Sequence, residues 1–370
     1  MPSCCYRRSF SSLRLGNHAI RFHRIRQLSS ASSPGKLLTL ENHDTVDLSS
    51  QLCTKGYAKT SHPILTSQAC RRVKEQMPKL FRGEFETGVY PDEWHWREGI
   101  SRADAAREMC NSWKSDKTIA SLVLNEQLGK FIAQLMGWGS VRIAQDDLVW
   151  KPPSISDISV NHIDTVGFHQ DSAYISNQFD PYENNSVTLW IALDDADEET
   201  GCVEYAAGSH KWRPILHGRD RGEEEKDPTF NTNNAKTANN ENEISSFHSS
   251  DETSYRDGVS IAARLAGVTN PIDTVEPASV REGWAILHNQ DTWHGSGPNR
   301  SSTRHRRALV AHYIRGDATF RASDARSPFG HASYIYGRYK RFGSVELDES
   351  FFPIIYGEKR TAWIDDFLKE

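Results

Sequence analysis

Two hydrophobic periods divide the chain. Over residues 57–137 apolar positions recur every three or four residues, the spacing of one face of an α-helix. Ala69, Cys70, Val73, Met77, Leu80 and Phe81 form one such stripe. Pro78 is expected to kink or shorten that helix, because it lacks an N–H and crowds the preceding turn. A second stripe, Leu128, Phe131, Ile132, Leu135 and Met136, starts behind Asn125 and stops at Gly137. Asn is a favoured N-cap and Gly the common residue past a helix end, so a packing helix is expected between them. Beyond residue 140 the period falls to two. Val187, Leu189, Ile191 and Leu193 alternate with Thr188, Trp190 and Ala192. Leu309, Ala311 and Tyr313 alternate with Ala308, Val310 and His312, and 284–288 is a further β-rich run. Short strands separated by Gly, Pro, Asn and Asp point to an all-β barrel or jelly roll. No repeat of 20–50 residues is apparent.

The pattern lapses in two stretches. Residues 217–258 hold ten acids against five Lys or Arg, and six asparagines between 231 and 242. Such a segment has too little apolar surface to offset its ordering entropy. It reads as an exposed, largely disordered insertion, with an active-site lid as the alternative. Residues 1–33 carry eight serines and six arginines, and the first acid is Glu41. An Arg- and Ser-rich, acid-free leader is expected to be an organelle transit peptide. Arg26-Gln27-Leu28 before Ser29 resembles a mitochondrial processing site. A plastid address and a merely disordered basic tail are the alternatives. The final Phe367-Leu368-Lys369-Glu370 is not a peroxisomal Ser-Lys-Leu type terminus. The remainder, 34–370, is expected to be one domain.

Composition narrows the class. Of 44 Lys and Arg the six leader arginines leave 38 against 49 acids in the body, a balance of −11. No global basic field favours nucleic acid. No apolar run approaches the roughly 18 residues of a membrane span. Cys53, Cys70, Cys110 and Cys202 are scattered without a C-x-x-C pair, so they read as buried reduced thiols. A small-molecule partner is expected, and the oligomeric state is left open.

Candidate chemistry sits in the β-rich half. In Gly167-Phe168-His169-Gln170-Asp171-Ser172-Ala173-Tyr174, His169 and Asp171 are two apart. On a strand, i and i+2 share a face, so one imidazole and one carboxylate can take neighbouring positions on a metal. H-x-D alone is weak, and His162-Ile163-Asp164 is a decoy seven residues upstream. The later pair gains weight from Tyr174, an aromatic wall, and from His294, which opens the turn Gly295-Ser296-Gly297-Pro298-Asn299. Two histidines and one carboxylate make the facial triad of non-haem Fe(II) oxygenases, with open positions for substrates. Downstream, Arg306, Ala308, Val310 and His312 share one strand face. An arginine projecting into a barrel needs an anion, and a carboxylate held by two hydrogen bonds suits it. A dicarboxylate co-substrate chelating iron at its other end would supply that anion.

With these pieces the sequence resembles the phytanoyl-CoA dioxygenase family of Fe(II)/2-oxoglutarate-dependent oxygenases. The resemblance rests on Lys151-Pro152-Pro153, His169-Gln170-Asp171, 187–195, 199–204, Gly208-Ser209-His210-Lys211, 294–299 and Phe352-Pro353 in order, over about 55–357. It implies a double-stranded β-helix (jelly roll, cupin-like) with flanking helices. It implies His169, Asp171 and His294 as iron ligands, and Arg306 as the holder of the distal carboxylate of 2-oxoglutarate. The gap from His294 is one residue longer than the family pattern, so Arg304 competes for that role. Trp190, Ser296 and Lys151 match further co-substrate positions. Gln145 matches a substrate-side glutamine of the ectoine-hydroxylating branch. The implied reaction is hydroxylation of an unactivated C–H bond of a small organic substrate, with O2 consumed, 2-oxoglutarate decarboxylated to succinate, and ascorbate supportive. Related halogenases lack the carboxylate ligand, and Asp171 is present. The rival readings are a cupin-like metalloenzyme that does not use 2-oxoglutarate and a non-catalytic β-barrel binding protein. His162, His210, His288 and His312 read as structural.

Overall fold

The computed structural model describes residues 37–41, 43–154, 165–175, 178–212, 248–249, 255–268, 274–322 and 334–369. Contacts divide the chain into Met1–Gly35 and Lys36–Glu370. The first unit, with the expected transit peptide, lies outside the described residues, as does the decoy pair His162 and Asp164.

The described strands, most of them from the period-two half of the chain, form two main antiparallel sheets and one two-stranded pair. The strands are β1 (Tyr57–Lys59), β2 (Glu93–Trp94), β3 (Arg107–Cys110), β4 (Val141–Lys151), β5 (Thr165–His169), β6 (Phe179–Asp180), β7 (Ser186–Ala192), β8 (Val203–Ala206), β9 (His248–Ser249), β10 (Val275–Pro277), β11 (Ala285–Asn289), β12 (His294–Ser296), β13 (Arg306–Arg315), β14 (Thr319–Phe320) and β15 (Ile354–Tyr356). The large sheet runs β1-β11-β7-β13-β4-β3-β2, with β15 also on β4, and the small one β10-β8-β12-β5-β9. Strands β6 and β14 pair separately. From β4 to β13 the chain passes repeatedly between the two: β4, β7, β11 and β13 lie in the large sheet, while β5, β8 and β12 between them lie in the small one. That winding is the expected double-stranded β-helix, built as two facing sheets rather than a closed barrel.

Both faces of the large sheet are buried, which explains the near-continuous apolar runs. Leu148, Leu189, Ile191, Leu309 and Ala311 point outward, into a core shared with the helices. Trp190, Ala308 and Val310 point inward, toward Tyr205 and Val203 of β8. Covering the outer face are α2 (Ser67–Phe81), α3 (Lys117–Val123) and α4 (Glu126–Met136), preceded by α1 (Thr45–Lys55). Val73, Met77 and Leu80 of α2 and Leu128, Phe131 and Ile132 of α4 are among the buried positions, each contributing about 1.5–3 kcal/mol by burial. Asn125 caps α4 through its side chain, 2.9 Å from the Gln127 N–H, and Gly137 closes it in the left-handed conformation.

Three expectations change. Residues 57–137 are not helical throughout: β1, β2 and β3 interrupt them, and β3 joins β4. Pro78 does not end α2, which runs on to Phe81. At three residues from the helix end, its missing N–H removes one bond in the last turn only. The insertion expected at 217–258 overlaps described structure: β9 pairs with β5, and the helix Asp257–Leu265 packs Val259 and Ala262 with Phe168 and Trp293. Val259 and Ala262 lie beyond the acidic stretch, and Arg256 is held by Glu204. No helix among the described residues is long and apolar enough to cross a membrane.

Candidate metal and co-substrate site

Strand β5 ends at His169, and Gln170 continues in extended conformation before the turn Asp171–Ala173. The alternation therefore carries His169 and Asp171 to one side. Strand β12 begins at His294, which is the register partner of His169. Their ring centroids lie 4.3 Å apart. The Nε2 atoms of His169 and His294 stand 3.6 and 3.5 Å from Oδ1 of Asp171. The ligand atoms of all three lie within 4.8 Å of one another.

The hydrogen bonds decide which atoms are offered. His169 Nδ1 is 2.8 Å from the Gly167 carbonyl, and His294 Nδ1 is 2.9 Å from that of Thr292. A carbonyl only accepts, so each Nδ1 carries the proton and each Nε2 keeps its lone pair. This is the usual support for a metal-binding imidazole. Electrostatics act in the same direction. Burial opposes charge on Asp171, but the facing His294 and His288, with the hydrogen bond from His288 Nε2, outweigh it and hold its carboxyl well below the usual range. Burial, with His288 and His169 beside it, pushes His294 well below the ordinary histidine value. Two imidazoles turned to present Nε2 and one carboxylate are the donor types a divalent metal accepts, so the donor set fits such an ion.

The same cavity extends to a cationic end. Arg306, the first residue of β13, is the register partner of Lys151, the last of β4. Both are buried, Arg306 at 1% exposure and Lys151 at 0%. They converge on Ser296: Lys151 Nζ donates to its Oγ over 2.7 Å, and Arg306 Nη2 over 3.1 Å. Arg306 Nε donates to the Gly201 carbonyl over 3.0 Å, and its guanidinium lies 5.4 Å from the Trp190 ring centre. Arg304 goes elsewhere. It forms a two-bond pair with Asp197, at 2.7 and 3.1 Å, and reaches Glu199 at 2.6 Å. Its side chain is 39% exposed. Of the two competing arginines, Arg306 is the one that lines the cavity.

The opposite end carries Gln145 and Tyr174, together with Glu108, Cys110 and Asp147. Gln145 donates to Asp147 over 2.8 Å and accepts from Tyr336 over 3.0 Å. Glu108 and Cys110 of β3 stand close to Asp147, their ligand atoms within 4.8 Å. Burial, and then Asp147, pushes the Glu108 carboxyl up to about 8. His288 and His312, read from sequence as structural, also line the cavity and reach Asp171 Oδ2 at 2.9 and 3.6 Å. Strand alternation places His312 on the face of Arg306, so that signal was present. Nothing local marks His288 or Glu108.

The chain matches known proteins both in sequence and in fold. The family model described as phytanoyl-CoA dioxygenase (PhyH) matches residues 52–308. A probable alpha-ketoglutarate-dependent hypophosphite dioxygenase of Stutzerimonas stutzeri is 26% identical over 267 residues, covering 71% of this chain and 76% of its own. Two solved structures share the fold. The alpha-ketoglutarate-dependent carbocyclase SnoK from nogalamycin biosynthesis is 19% identical, with TM-score 0.54, over 86% of this chain and 99% of its own. The epimerase SnoN from the same biosynthesis is 17% identical, with TM-score 0.52, over 84% and 98%.

Proposed function

This chain belongs to the phytanoyl-CoA dioxygenase family, and on that premise we propose that it hydroxylates an unactivated C–H bond of a small organic substrate. It is a non-haem iron, 2-oxoglutarate-dependent oxygenase. The observation that carries the reading is the convergence of His169 Nε2, Asp171 Oδ1 and His294 Nε2, with both imidazole tautomers set by backbone carbonyls.

His169, Asp171 and His294 would hold Fe(II), leaving positions for 2-oxoglutarate and O2. When bound, iron with these two co-substrates supplies the oxidant for hydroxylation, and 2-oxoglutarate leaves as succinate and CO2. Arg306 would bind the distal carboxylate of 2-oxoglutarate as a charge-assisted pair, with Lys151 and Ser296 completing the anion seat and Trp190 walling it. Gln145 and Tyr174 would orient the substrate at the other end, Tyr174 with its ring centre 6.1 Å from that of His169. Excluding water from this buried cavity strengthens each of these interactions.

Purified protein supplied with Fe(II), ascorbate and 2-oxoglutarate is expected to form succinate slowly without substrate and faster with it. Screening metabolites for that stimulation identifies the substrate. Asp171→Ala is expected to abolish turnover and weaken iron binding. Binding of neither Fe(II) nor 2-oxoglutarate by the wild-type protein would overturn the reading.

A further inference from the structure

One row of side chains crosses five strands on the inner face of the large sheet. Tyr57 of β1 pairs in register with His288 of β11, His288 with Thr188 of β7, Thr188 with His312 of β13, and His312 with Gln145 of β4. Asp171, arriving from the end of β5 in the facing sheet, lands one carboxylate oxygen on this row. Its Oδ2 takes a hydrogen bond from the Thr188 hydroxyl and another, at 2.9 Å, from His288 Nε2. Its Oδ1 faces the two histidines of the candidate iron site.

Proton accounting fixes the sense of these bonds. A carboxylate only accepts, so Thr188 spends its single proton on Oδ2. His312 Nδ1, 2.9 Å from the same hydroxyl, must then donate to it. His288 Nε2 likewise donates to Oδ2, and its Nδ1, 2.9 Å from the Tyr205 hydroxyl, accepts. Tyr205 in turn stacks on Tyr57, ring centres 4.5 Å apart. These groups are buried, with Thr188 at 3%, His288 at 2% and Tyr205 at 0% exposure.

We propose that Thr188 and His288 are positioning residues that occupy Oδ2 of Asp171, so that the carboxylate offers a metal Oδ1 alone. The inference rests on the iron-site reading above and deepens it. A carboxylate that swung to bind through both oxygens would take a position needed by 2-oxoglutarate or O2. The row prevents that swing by engaging the second oxygen from two strands at once.

The test uses Co(II) as the probe on metal-free full-length protein. Thr188→Val keeps the shape and deletes the donor, Thr188→Ser restores the donor, and His288→Phe removes the other. By the cost usual for losing a ligand's supporting partner, Thr188→Val and His288→Phe are expected to bind Co(II) about 10- to 100-fold more weakly. Thr188→Ser is expected to stay close to wild type. Melting of the metal-free proteins separates this from a packing defect, which lowers the melting temperature without the valine–serine contrast in affinity. Wild-type affinity in both Thr188→Val and His288→Phe overturns the proposal. A crystal structure of the wild-type protein with Ni(II) provides a measurement independent of any variant. Contact through Oδ1 alone supports the proposal, and contact through both oxygens overturns it. If wild-type protein binds no Co(II), the iron-site reading itself fails and takes this inference with it.

Discussion

Arg304 and Arg306 differ by two positions and lie in the same basic run, yet their surroundings assign them opposite tasks. Arg306 is sealed in the cavity, where a charge-assisted bond to a carboxylate contributes about 1.5–3 kcal/mol. Arg306→Ala is therefore expected to weaken 2-oxoglutarate binding about ten- to hundredfold, measured by titration of the metal-loaded protein. Arg304 makes a surface pair with Asp197 and Glu199, an arrangement that contributes at most about 1 kcal/mol. Arg304→Ala is expected to leave 2-oxoglutarate affinity unchanged, and a larger effect there than at Arg306 would reverse the assignment. Glu108 yields a pH prediction. Its folded value of about 8 lies above its ordinary 4.5, because burial and Asp147 disfavour its charge. Between those values the folded carboxyl keeps a proton that the unfolded one has lost, so its contribution to stability falls as pH rises through that window. Gln at 108 does not titrate. The melting temperature of Glu108→Gln relative to wild type is expected to climb from pH 5 to pH 8.5, and a flat difference would show that the carboxyl is not perturbed. At this scale the sequence was legible where residues are neighbours. His169 and Asp171 announce themselves by spacing, and His294 by its turn. Thr188 and His288 reach Asp171 across 17 and 117 residues, and only the strand register brings them there.

Elements were legible wherever one period ran long enough. Strands β7 and β13 are legible as runs of seven and ten residues whose two faces are both buried, one against the helices and the other toward the cavity. Helix α4 is bracketed by Asn125 and Gly137, whose caps are local chemistry. Strand β3 was missed because its four residues, Arg107–Cys110, are too few to establish a period beside longer helices. The turn after Glu199 shows how backbone shape serves the cationic end. Gly201 has φ +71°, a Cβ there would run into the Gly297 carbonyl and lie 2.8 Å from that of Pro298, and its own carbonyl accepts from Arg306. Gly201→Ala is expected to destabilise the protein by on the order of 1–3 kcal/mol through left-handed strain and crowding. It is also expected to weaken 2-oxoglutarate binding, because the turn that aims Arg306 must shift. Unchanged melting and unchanged 2-oxoglutarate affinity would contradict that coupling.

At the scale of the whole molecule, the candidate iron site is also a joint. His169 and His294 belong to the small sheet, paired in register, whereas Asp171 is seated on Thr188 and His288 of the large one. A metal held by all three would tie the two sheets together, and the unfolded chain, with its ligands 125 positions apart, offers no comparable site. Binding to the folded state alone stabilises it by about 2.7 kcal/mol when free metal is 100 times its dissociation constant. For a domain this large that is a rise in melting temperature on the order of 5 °C. Metal-free protein is therefore expected to melt lower than protein with saturating Co(II), and the increment is expected to vanish in Asp171→Ala. Arg306→Ala, which lies outside the ligand set, is expected to retain it. Equal melting of metal-free and Co(II)-treated wild type would mean the three side chains do not act as one site. Loss of the increment in Arg306→Ala as well would mean that the cationic end and the metal end stand or fall together as one folding unit.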